Sequence, residues 1–435
     1  MKTLKSVLAL GVATVLAATC LSGCSGGGGS KSSGGAKGTV TWSTWGTPDE
    51  LKIFEQFNKE FMQRHPDIKI KFQPVASYSD YHSKLTTQLS SKTAPDVFYV
   101  GDDRITSLVH NQTLAPIDDH LGTGDSALSL KDFNHDIYRI AEMDGKTYAL
   151  PNDVNPDAFW YNKVVLKQAG ITEDPAQLAK EGKWTTEKFF EMVDKLKASG
   201  KEGAAFWNYW STTDSIMISQ GGKVYDDSGK YVANKDAKSV KALQDWADKF
   251  KSGELLVADE MPSGADSDTL FVTDKLGFMV QGRYTLGTIE KASRDSSDFD
   301  VVGWPTPQGT IGRNGVASSF LAVNKNAADL DAAFTFFKEF LSKEGQTLRL
   351  KDSGNALPSI KGIDEIVTDT GKPANVQSLI EMRDKGFANF PTEAGVPDLS
   401  NDISVNIMLP LYKGQKTAQQ ALDDTAKMVS EKAGK

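Results

Sequence analysis

Cysteine is nearly absent: of 435 residues only Cys20 and Cys24 are cysteines, both at the extreme N-terminus, so the body beyond them can form no internal disulfide. Positive charge is not in excess. Lys plus Arg number 49 against 57 Asp plus Glu, a formal net charge of −8, and nothing in that balance favours a nucleic-acid polyanion as partner. Past the first residues no run approaches the roughly 20 apolar residues that a membrane helix needs. His65, His82, His110, His120 and His135 have no metal-ligand spacing and read as loop or helix-surface residues. The patterns H-E-x-x-H, C-x-x-C, G-x-S-x-G and the Walker loop are missing, and no internal repeat is visible. Acidic neighbours such as Asp102 and Asp103 are abundant, yet adjacency does not make a general acid and base, because a glycosidase pair sits about 5 to 9.5 Å apart across a bond. No catalytic residue, metal site or cofactor is nominated.

What is present suits soluble globular protein: 39% hydrophobic and 24% charged residues are too apolar a mixture for disorder. The length implies two or three domains. Eight Trp and eleven Tyr supply flat, amphipathic surface for a core or for polar ligands that have apolar faces.

The first residues read as a targeting segment. Lys2 and Lys5 form a basic start, and Val7 to Leu16 is an apolar run of secretory-signal length. It ends in Leu21-Ser22-Gly23-Cys24, similar to a bacterial lipobox in which the Cys24 thiol receives a diacylglyceryl group; the alternative is an ordinary signal peptide with a coincidental cysteine. Several acyl chains hold a protein stably to a membrane, so residues 1–23 are expected to leave and Cys24 to become a lipid anchor. Residues 24–38, rich in Gly and Ser, read as a flexible leash.

From Thr39 onward, strand-like and helix-like runs alternate. Thr39 to Trp45 predicts a strand, Pro48 to His65 a helix with Leu51, Phe54, Phe57 and Phe61 on one face, and Ile68 to Phe72 a strand. Tyr78 to Ser91 predicts a helix and Asp96 to Val100 a buried strand. This β-α-β-α-β order implies parallel strands with helical crossovers. Thr185 predicts a helix cap with Trp184 and Phe189 as a hydrophobic staple, and Val240, Leu243, Trp246 and Phe250 form a helical stripe. Ala327 to Leu350 and Thr417 to Lys432 predict two further helices.

A series of short motifs runs through the body in a fixed order. Val40-Thr41-Trp42 opens it, followed by Ala94-Pro95-Asp96-Val97-Phe98, Asp102-Asp103-Arg104 and Leu114-Ala115-Pro116-Ile117. Then come Gly145 to Pro151, Trp160-Tyr161-Asn162-Lys163, Lys183 to Glu187, Phe278-Met279 to Tyr284, Trp304 to Pro307, Asn314-Gly315, Leu357-Pro358 and Gly414 to Ala421. In this order and spacing the series resembles the extracellular solute-binding proteins of sugar ABC importers, the group that includes maltose-binding protein, and is most similar to the lipoprotein version from Gram-positive bacteria that serves oligosaccharides.

The resemblance implies an α/β fold of two lobes, periplasmic-binding-protein-like, with a hinge and a ligand cleft between discontinuous lobes. Lobe 1 is expected from residues 39–150 plus 306–352 and lobe 2 from 151–305 plus 353–435. It implies a monomer that is no enzyme, tethered to the extracellular face of the membrane, binding an oligosaccharide and handing it to the ABC permease subunits. A surface enzyme acting on carbohydrate and a noncatalytic adhesin are the alternatives. A sugar has C–H faces that pack on aromatic rings and hydroxyls that need paired donors and acceptors, and a buried unpaired partner costs about 1 to 3 kcal/mol.

On that resemblance Asp103 and Arg104 fall where the family places an Asp-Arg pair, with Asp102 beside them; a surface ion pair is the other reading. Trp45, at the end of the first strand, is expected to stack on sugar, loop packing being the alternative, and Trp42, two positions back, to lie in the core. Asn152 and Asn155 flank the crossing after Pro151, and Asn155 stands where the family has an acidic residue, which exchanges an acceptor-only group for one that both donates and accepts. Trp207 and Trp210 are equal candidates for a stacking ring, core being the alternative for each. Tyr284 stands for the family's stacking tryptophan, with Arg283 next to it; Asn314, Asp398 and Asn401 complete the ligand-binding set. Trp184 and Trp246 are structural, and Trp304 is open to either role.

Overall fold

The computed structural model describes residues 37–46, 48–122, 128–351 and 355–434. The expected signal peptide, Cys24 and most of the leash lie outside the described residues. Among the described residues ten strands build the two five-stranded sheets: β1 (Gly38–Ser43), β2 (Ile68–Phe72), β3 (Val97–Gly101), β4 (Ala149–Pro156), β5 (Ala158–Asn162), β6 (Glu202–Phe206), β7 (Leu255–Val257), β8 (Leu276–Gln281), β9 (Phe299–Val302) and β10 (Val316–Val323). The first sheet runs β2-β1-β3-β10-β4, and the second runs β9-β5-β8-β6-β7.

In the first sheet β1 pairs in parallel with β2 and β3, as the β-α-β-α-β order predicts, and helices Pro48–Arg64 and Tyr78–Ser90 form the crossovers. β10 returns antiparallel between β3 and β4. In the second sheet β6 is parallel to β7 and β8, while β5 runs antiparallel to β8 and β9.

Aromatic residues fill both cores. Trp42 is fully buried, stacks on Phe72 at 4.5 Å and donates its indole N–H to Asn58. In the second core Trp184 meets Phe189 at 6.0 Å across the cap that Thr185 supplies to helix Thr186–Ala198, which is the expected staple. Trp246, buried in helix Ala237–Ser252, stacks on Phe189 at 5.4 Å.

Three expectations change. The run from Ala327 to Leu350 is two helices, Leu330–Leu341 and Lys343–Leu350, because Ser342 turns extended and its hydroxyl caps the second by accepting from Gly345 N–H. A boundary at residues 150/151 would cut β4, whose pairing with β10 runs from Ala149 to Pro156; the chain leaves the first sheet at Asp157. Thr306, expected to begin the return to lobe 1, still bridges Thr185, and the first sheet resumes only at Val316. The third boundary, at 352/353, lies outside the described residues. Trp304 is fully buried and pins the two crossings together by donating to the Asp157 carbonyl at 2.8 Å.

Candidate functional site

Open α/β sheets bind ligands beyond the carboxyl ends of their parallel strands, and here those ends carry the chemistry. Trp45 follows β1 and Asp102-Asp103-Arg104 follows β3. Trp207-Asn208-Tyr209 follows β6, Asp259 follows β7, and Gly282-Arg283-Tyr284 follows β8. Two adjoining cavities open there. The first, of about 440 Å³, is bounded by residues of both sheets, among them Trp45, Asp102, Trp207, Tyr209 and Tyr284. The second, of about 490 Å³, reaches Glu50, Glu290, Lys291 and Ala356. Trp45, Asp153, Asn155, Tyr284 and Ser319 face both, so the two are ends of one cleft.

The rings differ in how they meet it. Trp207 is 41% exposed and Tyr284 44%, high values for large aromatic side chains on a cavity wall. Trp45 is half-buried, edge-on to Tyr78 at 4.9 Å and to Tyr99 at 5.5 Å. Beneath it lies His82, which donates from Nδ1 to the Tyr78 carbonyl at 3.0 Å and accepts Gly101 N–H at Nε2 at 3.2 Å. Burial holds this imidazole down at about 4, so His82 is a neutral structural residue and not the surface group that its spacing predicts. Gly101 leaves room for this arrangement: a Cβ would stand 1.8 Å from the Tyr78 hydroxyl and force that ring to shift.

The polar wall is rich in carboxylates. Asp102 accepts the Tyr209 hydroxyl and the Ser318 N–H, each at 2.9 Å, and the first of these spans the two lobes. Burial, with Asp103 adding to it, pushes the Asp102 carboxyl up to about 7. Burial also lifts Asp153 to about 7, with Glu50 adding and Arg349 opposing, and Asp157 to about 7 against a hydrogen bond from Ser211. Asn155 Oδ1 accepts the Arg283 backbone N–H at 2.9 Å. Gly282 permits that approach, since a Cβ there would stand 2.6 Å from Asn155 Oδ1.

Asp153, Asn155 and Asp157 follow the two-residue period of a strand and face the cleft together. The same alternation turns Asn152 away: it is fully buried, where it accepts the Tyr99 hydroxyl at 2.7 Å and donates to the Ser319 carbonyl at 3.0 Å. Sequence reasoning missed Asp153 and Asp157, although this period was the signal that finds them. It also missed Tyr78, Asn208, Tyr209, Asp259, Ser318 and Ser319, which line the first cavity from strand ends and from β10.

Other expected residues lie elsewhere. Trp210 is core, 3% exposed, because it opens helix Trp210–Ser219 and packs toward Phe387. The Arg283 side chain is buried and directed at the Ala356 carbonyl, and burial brings its guanidinium down to about 10. Asn314 is buried at the second crossing and donates to the Gly315 carbonyl. Arg104 forms ion pairs with Asp103 at 3.4 Å and with Asp398 at 3.3 Å, and none of the three lines either cavity. Asn401 is exposed and lines neither. Among the described residues no group of His, Cys, Asp or Glu is arranged to hold a metal ion, and no helix is long and apolar enough to cross a membrane.

The profile of the bacterial extracellular solute-binding proteins matches residues 45–347, from the ring after β1 to the second helix after β10. The chain belongs to this family. Solute-binding relatives agree in sequence and in fold. The diacetylchitobiose binding protein DasA of Streptomyces coelicolor is 28% identical over 290 residues, which are 63% of this chain and 62% of DasA. The chain therefore spans somewhat less than two thirds of that relative in the alignment. An ABC substrate-binding protein of Listeria monocytogenes, solved with cycloalternan, superposes with a TM-score of 0.77 at 20% identity over 91% of this chain and 98% of its own. The GacH receptor of Streptomyces glaucescens, solved unliganded and with acarbose, gives a TM-score of 0.74 at 19% identity over 91% and 98%. The chain thus has the two-lobe α/β fold of these solute-binding structures.

Proposed function

We propose that this chain captures an oligosaccharide between its lobes and delivers it to the membrane subunits of an ABC importer. The observation that carries this reading is the pair of exposed rings, Trp207 and Tyr284, on a cavity that carboxylates, amides and hydroxyls also line. Rings take the C–H faces of a sugar and the polar groups take its hydroxyl rim. In this reading Trp45, Trp207 and Tyr284 stack, Asp102, Asp153, Asn155 and Asp157 bind hydroxyls, and Asp103, Arg104 and Asp398 form the rim. The relatives named above for diacetylchitobiose, cycloalternan and acarbose support a glycan ligand.

The protein acts as a monomeric binding protein, not an enzyme, held outside the cell by a lipid on Cys24. Tryptophan fluorescence titration with an oligosaccharide panel, followed by chromatography of the same samples, tests capture. Saturation with unchanged sugar supports it, and cleavage products would make the protein an enzyme. The anchor has its own test: Cys24→Ser should move the protein from membrane fractions to the soluble fraction, and retention after a high-salt wash would refute the anchor.

A further inference from the structure

Acidic side chains predominate in the cleft. Its two cavities are lined by Glu50, Asp102, Asp153, Asp157, Asp259 and Glu290, and by one cationic side chain, Lys291, which faces the second cavity alone. The whole chain has 57 acidic and 49 basic residues, so composition does not account for such a lining. Nearby arginines are directed elsewhere. Arg104 is held at the rim by Asp103 and Asp398, Arg283 is buried against the Ala356 carbonyl, and Arg349 donates to Asn152 and to the Phe340 carbonyl.

Carboxylates taken out of water need a counter-charge or a proton, and walls of one sign concentrate ions of the other. Burial raises Asp102, Asp153 and Asp157 alike, opposed by a cation only at Asp153, where Arg349 offsets part of it, which is the cost of holding these charges in the cleft. A neutral hydroxyl satisfies a lone pair but leaves the charge in place, and an anionic sugar adds repulsion. A protonated amine gives both the hydrogen bond and the counter-charge. The faces of Trp207 and Tyr284 attract the same cation.

We propose that the preferred ligand of the cleft is an oligosaccharide bearing at least one free, protonated amino group, with Asp153 and Asp157 as its counter-charges. This rests on the oligosaccharide reading above and narrows it to amino sugars. Asp153 faces both cavities and Asp157 the first, so the amine sits on the side of the cleft formed by β4 and the crossing that follows it.

A competition experiment tests it. Signal-free protein is mixed with equimolar oligosaccharide pools of matched length, made from a free-amine hexosamine polymer, its N-acetylated counterpart, neutral hexose polymers of several linkages and a uronic-acid polymer. The retained sugars are quantified by mass spectrometry at low and at roughly 1 M salt. The amine pool should be enriched about tenfold over the others at low salt, lose most of that advantage at high salt, and lose it in Asp153→Asn and Asp157→Asn. The salt series on unaltered protein stands even where a variant folds poorly. Equal or greater retention of the N-acetylated or neutral pools overturns the amine assignment and leaves the oligosaccharide reading in place. Retention of no pool at all overturns both.

Discussion

Single residues divide by what removing them would expose. The Trp207 and Tyr284 rings already meet solvent, so truncating either leaves no cavity in the core, whereas Trp246 is closed in by Phe189, Phe206 and Trp304. Trp207→Ala and Tyr284→Ala should therefore weaken sugar binding roughly tenfold or more with little change in melting temperature. Trp246→Ala should cost about 3 to 5 kcal/mol of stability while the folded fraction still binds. Calorimetric affinity and thermal unfolding on the three variants check this; if the first two melt early and bind normally, their rings are structural.

His82 gives a pH signature of definite sign. Its folded value of about 4 lies below the ordinary value near 6.5, so the native state needs it neutral, and the stability this contributes is present above pH 6.5 and lost as pH falls toward 4. Asp102, Asp153 and Asp157 act oppositely: with values raised to about 7, they favour the native state most below the ordinary carboxylate range and least above pH 7. His82→Gln keeps a donor for the Tyr78 carbonyl and an acceptor for Gly101 N–H without titrating. The melting temperature of the unaltered protein should fall relative to this variant between pH 6.5 and 4. Parallel pH curves would show that the imidazole does not titrate as a buried group.

Elements were more legible in the sequence than the side chains they carry. Helix Pro48–Arg64 and strand Ile68–Phe72 were readable because each has one apolar face at a clean period. Strand β4 was not read at all, since Pro151, Asn152, Asp153, Asn155 and Pro156 resemble a loop by composition; pairing with β10 overrides that preference. Missing the strand hid its alternation, which is why Asn152 was expected in the cleft and Asp153 and Asp157 were not. Trp207 and Trp210 were inseparable in sequence because three positions that straddle a loop and a helix start have no common period. The end of β8 supplies the test at this scale. In Gly282→Ala the new Cβ meets Asn155 Oδ1 at 2.6 Å and Tyr284 Cε1 at 2.7 Å, so both cleft residues must move. Ligand affinity should drop about tenfold while the protein stays folded; unchanged affinity would mean that neither residue needs its present place.

At the scale of the whole molecule, the two lobes meet across the cleft through very unequal contacts. Arg104 with Asp398 is an exposed pair at the rim, its side chains 34% and 60% accessible, and such pairs contribute little and less still in salt. The Tyr209 hydroxyl on Asp102 is different, because Asp102 is 3% exposed and otherwise meets the Ser318 N–H and the Trp210 indole. Hydrogen bonds to buried charged groups are worth about 1.5 to 3 kcal/mol, enough to shift an equilibrium between open and closed lobes by tenfold or more. Tyr209→Phe deletes this bond and keeps the ring against Trp210 at 5.8 Å, so the second lobe should fold as before. Closure by hinge motion then predicts three results in solution scattering. The ligand-free variant should have a larger radius of gyration than the unaltered protein. Saturating sugar should bring both to the same compact value, and the sugar concentration required should be about tenfold higher for the variant. Arg104→Gln, the rim control, should change none of these beyond a small effect that salt removes. If Tyr209→Phe and the unaltered protein scatter identically without ligand and bind equally, the hydroxyl is not what holds the lobes together, and closure depends on the sugar alone.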